Sequence, residues 1–179
     1  GQSLSLRANI GGSSSNYELS FIEPWLFDMP LWTKTDIWKM YRIYDTYRMD
    51  SEGAGFTFGY PIWDRISGYV GYKLSRDNVG DIYDTASSYI KRQEGQIITS
   101  SLTITLANDT TDDIMFPSKG SKSTFSTEYT GGFLQGDASF IKYQLSSAWF
   151  YPLPLDTVFG IRGRVGYLQA MEGKEVPVF

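Results

Sequence analysis

The side chains able to do chemistry in this sequence are carboxylates and arginines, because its 179 residues include no histidine and no cysteine. Without these residue types there is no Ser-His-Asp or Cys-His nucleophile, no thiol redox pair and no His/Cys zinc site. The densest acidic run, 108–113 (Asn-Asp-Thr-Thr-Asp-Asp), offers several oxygen ligands. It lacks the central glycine and the final glutamate of a calcium-binding loop. A solvated acidic turn is therefore favoured over a metal site.

Two pairs of charged residues have spacings that could support catalysis or anion binding. Asp109 and Asp112 could serve as the acid and base of a glycosidase, but nothing in the sequence sets their separation. Arg162 and Arg164 lie two apart, so on a strand they share one face and could bind an anion or pair with carboxylates. The ion-pair interpretation is favoured. We predict no catalytic residue, no metal and no cofactor, and we do not expect an enzyme.

Composition excludes further classes of protein. The 16 basic and 20 acidic residues give a net charge of −4 and a pI near 4.8, which argues against a nucleic-acid partner. Aromatic residues make up 16% of the chain, and 18 glycines accompany a mean hydropathy of −0.26. This mixture is typical of strand-rich proteins. No apolar run reaches the roughly eighteen residues of a membrane-spanning helix, although alternating barrel strands remain compatible with a membrane.

Alternation of apolar and polar residues predicts about nine strands. In the first, Leu4, Leu6, Ala8 and Ile10 alternate with polar neighbours. The alternating segments are 2–10, 17–21, 31–44, 56–60, 65–74, 98–106, 121–130, 141–151 and 159–167. We predict an all-β fold: an antiparallel up-and-down transmembrane barrel, of which 1–179 forms one partial domain with no linker.

The connections between these segments alternate in composition. Every second connection contains proline, so an up-and-down order places all of these prolines on one rim. The same rim collects aromatic residues, and we predict Trp25, Phe27, Trp63 and Trp149 at the membrane interface. The opposite rim receives glycine-, serine- and charge-rich connections, including 45–53 and the long 76–95, which we interpret as outer loops.

The charges inside these strands favour a wet barrel interior over a dry core. We predict that Arg65, Lys142, Arg162 and Arg164 face the lumen. The alternative is a water-soluble antiparallel sheet with one solvated face. The strand lengths and the one-sided aromatic rim favour the barrel.

Several motifs, in order along the chain, resemble the barrel of the BamA family of outer-membrane assembly factors, or insertases. They are Glu-Pro-Trp-Leu-Phe at 23–27, Gly-Tyr-Pro-Ile at 59–62, Phe-Pro-Ser-Lys-Gly at 116–120 and Gly-Ile-Arg-Gly-Arg-Val-Gly-Tyr at 160–167. The Phe-Pro-x-x-Gly motif is the most specific of these. The resemblance implies that Phe116, Pro117 and Gly120 form a structural turn.

The resemblance further implies a closed barrel of about sixteen strands, of which this chain supplies roughly the third to the eleventh. It places the protein in the outer membrane of a Gram-negative bacterium, with membrane lipids, unfolded barrel proteins and assembly lipoproteins as partners. The periplasmic domains, the lateral seam and the Arg-Gly-aromatic lid motif of the family match no segment here, so no functional residue is carried over.

Three expectations remain open beside this one. A transport relative, such as a partner-secretion pore or a translocation and assembly module, would share the barrel. A small stand-alone structural barrel or channel would match the length, although nine is an odd strand count. An odd sheet would leave two open edges, which we expect to be prone to pairing with another copy of the chain. Phe179 is interpreted as a boundary of the sequence rather than a targeting signal, because Glu172, Lys174, Glu175 and Pro177 break the alternation before it.

Overall fold

The computed structural model describes residues 1–171 and 176–177, and these form one antiparallel sheet of nine strands in chain order. The strands are β1 (Ser3–Ile10), β2 (Ser14–Glu23), β3 (Trp32–Ile43), β4 (Arg48–Trp63), β5 (Ile66–Gly80), β6 (Gly95–Asp109), β7 (Gly120–Thr130), β8 (Phe140–Leu153) and β9 (Thr157–Ala170). A short helix, α1 (Ser88–Arg92), and 3-10 turns at Leu26–Asp28 and Gly132–Leu134 lie in the connections. The predicted all-β, up-and-down fold is confirmed, and β1 and β9 are the two edges of an open sheet.

The two faces of the sheet differ in chemistry, as alternation requires. The outer face carries large apolar side chains that are exposed. They include Leu19, Ile37, Phe56, Phe58, Val70, Leu74, Ile104, Leu106, Tyr143, Leu145, Ile161 and Val165. The inner face lines one cleft of about 1,090 Å³ that extends from β2 to β9, so the sheet curves around it. Within the described residues no helix has the length and apolarity to cross a membrane.

Burial in this sheet reverses the order found in water-soluble domains. Among the described residues, buried hydroxyl side chains such as Ser51, Ser75, Ser101 and Thr130 outnumber buried apolar ones, while Ile104 remains 52% exposed. A water-soluble sheet would instead bury its apolar face against a second layer. The curvature therefore encloses the polar face and leaves the apolar face for a non-aqueous surrounding.

Several strands extend beyond their alternating segments, and the largest extensions are in β4 and β5. Residues 48–53 belong to β4 and residues 76–80 to β5, whereas the sequence placed both segments in connections. Here the outer face carries charge, with Glu52 opposite Lys39 on one side and Arg76 on the other. Charged outer positions break the apolar pattern, although oppositely charged cross-strand partners still stabilise the ladder.

The connections form two rims, as the strand order demands. The proline rim contains connections 24–31, 64–65, 110–119 and 154–156, and the loop rim contains 11–13, 44–47, 81–94 and 131–139. The proline rim thus mixes tight turns with longer loops, so the predicted contrast in loop length between the rims is weaker than expected.

Candidate functional site: the two faces of a barrel wall

The inner face is a polar wall held by ion pairs and cation–π contacts. Lys142 Nζ lies 3.7 Å from Glu128 Oε2 across β7 and β8, so this predicted lumen-facing lysine lies on the enclosed side. Lys34 Nζ lies 2.9 Å from Asp36 Oδ1, and Lys73 Nζ lies 5.2 Å from the centre of the Trp38 ring. Each partly exposed pair contributes about 0 to 1 kcal/mol. Their combined effect is a hydrated, charge-balanced surface.

Near the loop rim, this wall contains a buried carboxylate that sequence reasoning missed. Ser51 Oγ donates to Asp77 Oδ1 at 2.5 Å, and Ser75 Oγ donates to Asp77 Oδ2 at 3.2 Å. All three side chains are buried, with Met49 and Val79 also buried nearby along the same strands. The two hydroxyls replace the water that a buried carboxylate would otherwise need. No local motif marks this cluster, because it depends on the register between β4 and β5.

The connection 81–94 and the described residues after β9 meet at the loop rim. In α1 the Ser87 side chain caps the helix by accepting from the backbone N–H of Ile90 at 3.3 Å. Tyr89 Oη donates to the Val176 carbonyl, and Gln93 Nε2 donates to the same oxygen at 3.3 Å. Val176 and Pro177 also line the inner cleft. The predicted boundary residue Phe179, with 172–175 and 178, lies outside the described residues.

The three predicted lumen-facing arginines lie in two different places. Arg162 and Arg164 lie on β9, opposite Ala148 and Ser146, on the inner side of an edge strand. Neither guanidinium forms an ion pair within the described part of the chain. Arg65 lies in the two-residue turn 64–65 on the proline rim rather than within a strand, and its carbonyl accepts from Asp109 N at 2.9 Å.

The predicted interface aromatics all lie at the proline rim and are exposed. Trp25, Phe27, Trp63 and Trp149 have 60, 80, 69 and 47% of their surface accessible. The backbone N–H of Trp25 donates to Glu23 Oε1 at 2.9 Å, which fixes the start of the connection 24–31. Exposed amphipathic rings at one level of a barrel match the headgroup region of a bilayer.

Carboxylates brace the connection 110–119, which contains the predicted turn residues. Asp112 Oδ1 accepts from the backbone N–H groups of Ser118 and Lys119 at 2.9 and 3.0 Å, and Asp113 Oδ1 accepts from Met115 and Phe116 at 2.7 Å each. Hydrogen bonds from the Ser118 hydroxyl and from both backbone amides hold the pKa of Asp112 well below its usual range. Asp112 and Asp113 thus hold the backbone of the connection in which they lie.

The Phe-Pro turn ends at a backbone position that suits glycine. Gly120 has φ of 100°, and a Cβ there would collide with the Thr110 carbonyl oxygen. Phe116 is 81% exposed at the loop tip, while Pro117 is partly buried. In the described residues no group of three acidic side chains is placed to hold a metal ion.

An up-and-down antiparallel sheet, with a polar enclosed face, an apolar exposed face and an aromatic rim, defines the wall of a transmembrane β-barrel. The family model for the Omp85 superfamily domain matches residues 1–179. The chain therefore belongs to the Omp85 superfamily, and the resemblance deduced from its motifs is confirmed.

Individual relatives agree with this assignment. Outer membrane protein assembly factor BamA of Nitratidesulfovibrio vulgaris is 30% identical over 175 residues, covering 98% of this chain and 22% of that protein. The sorting and assembly machinery component 50 homolog of Mus musculus is 24% identical over 160 residues, covering 88% of this chain and 34% of that protein. The chain thus spans about a fifth to a third of the curated relatives it matches.

A solved structure shows the same fold. The crystal structure of BamA from Haemophilus ducreyi lacking POTRA domains 1-3 superposes with a TM-score of 0.79 and 20% identity, covering 99% of this chain and 37% of that one. The nine strands therefore correspond to part of a larger barrel. Within this chain the sheet is not closed, and β1 and β9 are its edges.

Proposed function

We propose that this chain is part of the barrel of an assembly factor that folds and inserts β-barrel proteins into the bacterial outer membrane. The observation that carries the proposal is the Omp85 superfamily match across residues 1–179, together with a nine-stranded sheet of the matching fold. The assembly role named for the Nitratidesulfovibrio relative supports it. The whole activity belongs to the complete protein, of which this chain is one piece.

The chemistry of the two faces supports location in a bilayer. Outer-face residues such as Phe56, Ile104 and Leu145 contact lipid tails, while the inner face surrounds water. The aromatic rim lies at one headgroup level. Outer-membrane lipids are accordingly the first partner of this segment.

The proposed mechanism involves no covalent chemistry, and the protein is not an enzyme in this proposal. A locally thinned bilayer lowers the barrier to insertion, and an opened lateral seam offers unpaired backbone groups to an incoming strand. The seam belongs to strands outside this sequence, so β1 to β9 act as the stable wall beside it. Unfolded barrel proteins are the substrates, and assembly lipoproteins are further partners.

Reconstitution of the full-length protein in liposomes tests this function. A urea-unfolded barrel protein is added, and its folded fraction is followed over time by its altered gel mobility without heating. We expect faster folding than in liposomes that contain an unrelated outer-membrane barrel at the same density. Equal folding rates in the two preparations would contradict the assembly role, and export of a soluble passenger in their place would indicate the transport relative.

A further inference from the structure

The outer face carries one row of three charged residues where its apolar band ends toward the loop rim. Lys39, Glu52 and Arg76 lie side by side on β3, β4 and β5, because Glu52 is opposite Lys39 on one side and Arg76 on the other. Lys39 Nζ lies 3.7 Å from Glu52 Oε2, and Arg76 Nη1 lies 3.3 Å from Glu52 Oε1. One carboxylate thus links two cations on neighbouring strands.

The row keeps a surplus of positive charge. Two cations and one carboxylate give 2 − 1 = +1. The next carboxylate along β4, Asp50, is already engaged by Arg48 Nε at 3.3 Å. The Lys39 and Arg76 side chains are 70% and 58% exposed, so their remaining donors point to the surroundings of the sheet. Exposed lysine and arginine side chains with unused donors bind anionic oxygens, and phosphate oxygens most strongly.

An apolar cleft adjoins the row. It encloses about 600 Å³, and the three charged side chains of the row lie along one side of it. Glu18, the fourth charged residue of the lining, is paired with Arg7 at 3.2 Å. Ala54 lies between Ile37 on β3 and Leu74 on β5, and its small side chain leaves a depression between these two larger ones. The remaining apolar lining residues include Leu6, Leu19 and Ile98. The cleft is therefore amphipathic, with cations along one side and hydrocarbon along its floor.

We propose that this cleft binds a membrane lipid with an anionic phosphate headgroup. The phosphate accepts hydrogen bonds from Lys39 and Arg76, and one acyl chain lies over Ala54 between Ile37 and Leu74. Charge complementarity selects an anionic lipid, and the position of the row at the edge of the apolar band places the phosphate at headgroup depth. The site goes beyond the assembly function, and it depends only on the outer face meeting lipid.

Native mass spectrometry of the full-length protein tests the headgroup contact. The probes are phosphatidylglycerol and phosphatidylcholine with identical chains. We expect the doubly substituted Lys39→Gln, Arg76→Gln protein to bind phosphatidylglycerol about tenfold more weakly, while its binding of phosphatidylcholine stays unchanged. Lys142→Gln, which removes an inner-face cation, serves as the matched control and should behave as the unsubstituted protein. Equal losses for both lipids, or no loss for either, would overturn the proposal.

A second variant tests the cleft separately from the charges. Ala54→Phe fills the depression and leaves Lys39, Glu52 and Arg76 in place, so phosphatidylglycerol binding should weaken. Thr127→Phe adds the same ring to the outer face of β7, between Ile104 and Tyr143 and away from the cleft lining, and should have no effect. Unaltered binding by Ala54→Phe would show that no acyl chain occupies the cleft. Gel mobility without heating establishes that each variant is folded.

Discussion

The outer face of this sheet carries apolar side chains and the inner face polar ones, although both belong to the same nine strands. On β6 the outer-face Ile104 is 52% exposed, whereas the inner-face Ser101 is 1% exposed. In water, burial of apolar surface would drive the reverse arrangement. The surroundings on each side, lipid outside and water inside, therefore decide which residue types a strand presents.

The faces also differ in how closely they are packed. On the inner face the Trp38 ring lies over Gly53 and Gly55, and Lys73 contacts that ring. On the outer face of β9, a Cβ at Gly163 would meet open space. The outer face also has ring contacts, Phe56 with Phe58 and Tyr143 with Tyr167, but the space at Gly163 is left for the surrounding hydrocarbon to fill.

The largest expected effect comes from placing a charge on the outer face. Ile104→Arg should lower the free energy of unfolding in lipid by about 2 to 4 kcal/mol, because an arginine at mid-membrane depth loses its hydration. Tyr143→Arg should behave alike. Urea titration of the full-length protein in lipid vesicles measures the change.

The matched control for that substitution is Thr103→Arg on the same strand. Thr103 faces inward opposite Glu128, so the new guanidinium would meet water and a carboxylate. Its cost should be much smaller than that of Ile104→Arg. Equal costs at positions 103 and 104 would show that the two faces are wrongly assigned.

A smaller effect tests the packing contrast. Gly53→Ala should cost about 1 to 3 kcal/mol, because the added methyl group would collide with the Trp38 ring and approach the Leu74 carbonyl oxygen to 2.6 Å. Gly163→Ala, in open space on the outer face, should leave stability nearly unchanged. The same vesicle titration compares them, and a larger loss for Gly163→Ala would refute the idea that the inner face is the packed one.

The smallest effect is expected for the Asp112 brace, the hydrogen bonds from the Ser118 and Lys119 amides to the Asp112 carboxylate, which lies at the proline rim and belongs to neither face. Because the pKa of Asp112 is lowered in the folded loop, its hydrogen bonds stabilise the loop above the ordinary aspartate pKa. That contribution is lost as the pH falls through the lowered value, so the change is confined to strongly acidic solution. Hydrogen exchange at the Ser118 and Lys119 amides should quicken there, and at neutral pH in Asp112→Ala.

A comparison substitution separates the brace from loop charge in general. Lys119→Gln changes the charge of the same loop without removing the acceptor of these amide bonds. Amide exchange that is equally fast in Lys119→Gln and Asp112→Ala would count against the brace. Neither variant should alter the stability of the sheet, because the loop lies beyond the strands.

Alternation along the chain predicted the strands and their order, because a period of two is a local property. It failed at residues 48–53 and 76–80, where cross-strand charges replace the apolar outer face. It also placed Arg65 within a strand, whereas the structure has this residue in a tight turn.

Features that depend on register were beyond sequence reasoning. The Ser51 and Asp77 contact and the Lys39, Glu52 and Arg76 row join residues that are distant along the chain, and only the pairing of β3, β4 and β5 brings them together. By contrast, the brace at Asp112 is local, and its acidic run could be recognised as a turn before the structure was known. The interface roles of Trp25, Phe27, Trp63 and Trp149 stay predictions, although all four lie on the expected rim.

The assignment of the two faces to lipid and water is best tested at two neighbouring residues of β8, in the full-length protein reconstituted in lipid. A spin label is attached through Tyr143→Cys or Gln144→Cys, each as the only cysteine. Tyr143 lies on the outer face and Gln144 on the inner face. We expect the label at 143 to be relaxed mainly by oxygen dissolved in the bilayer, and the label at 144 mainly by a water-soluble nickel complex. Relaxation of both labels by the nickel complex alone would contradict a barrel wall between lipid and water.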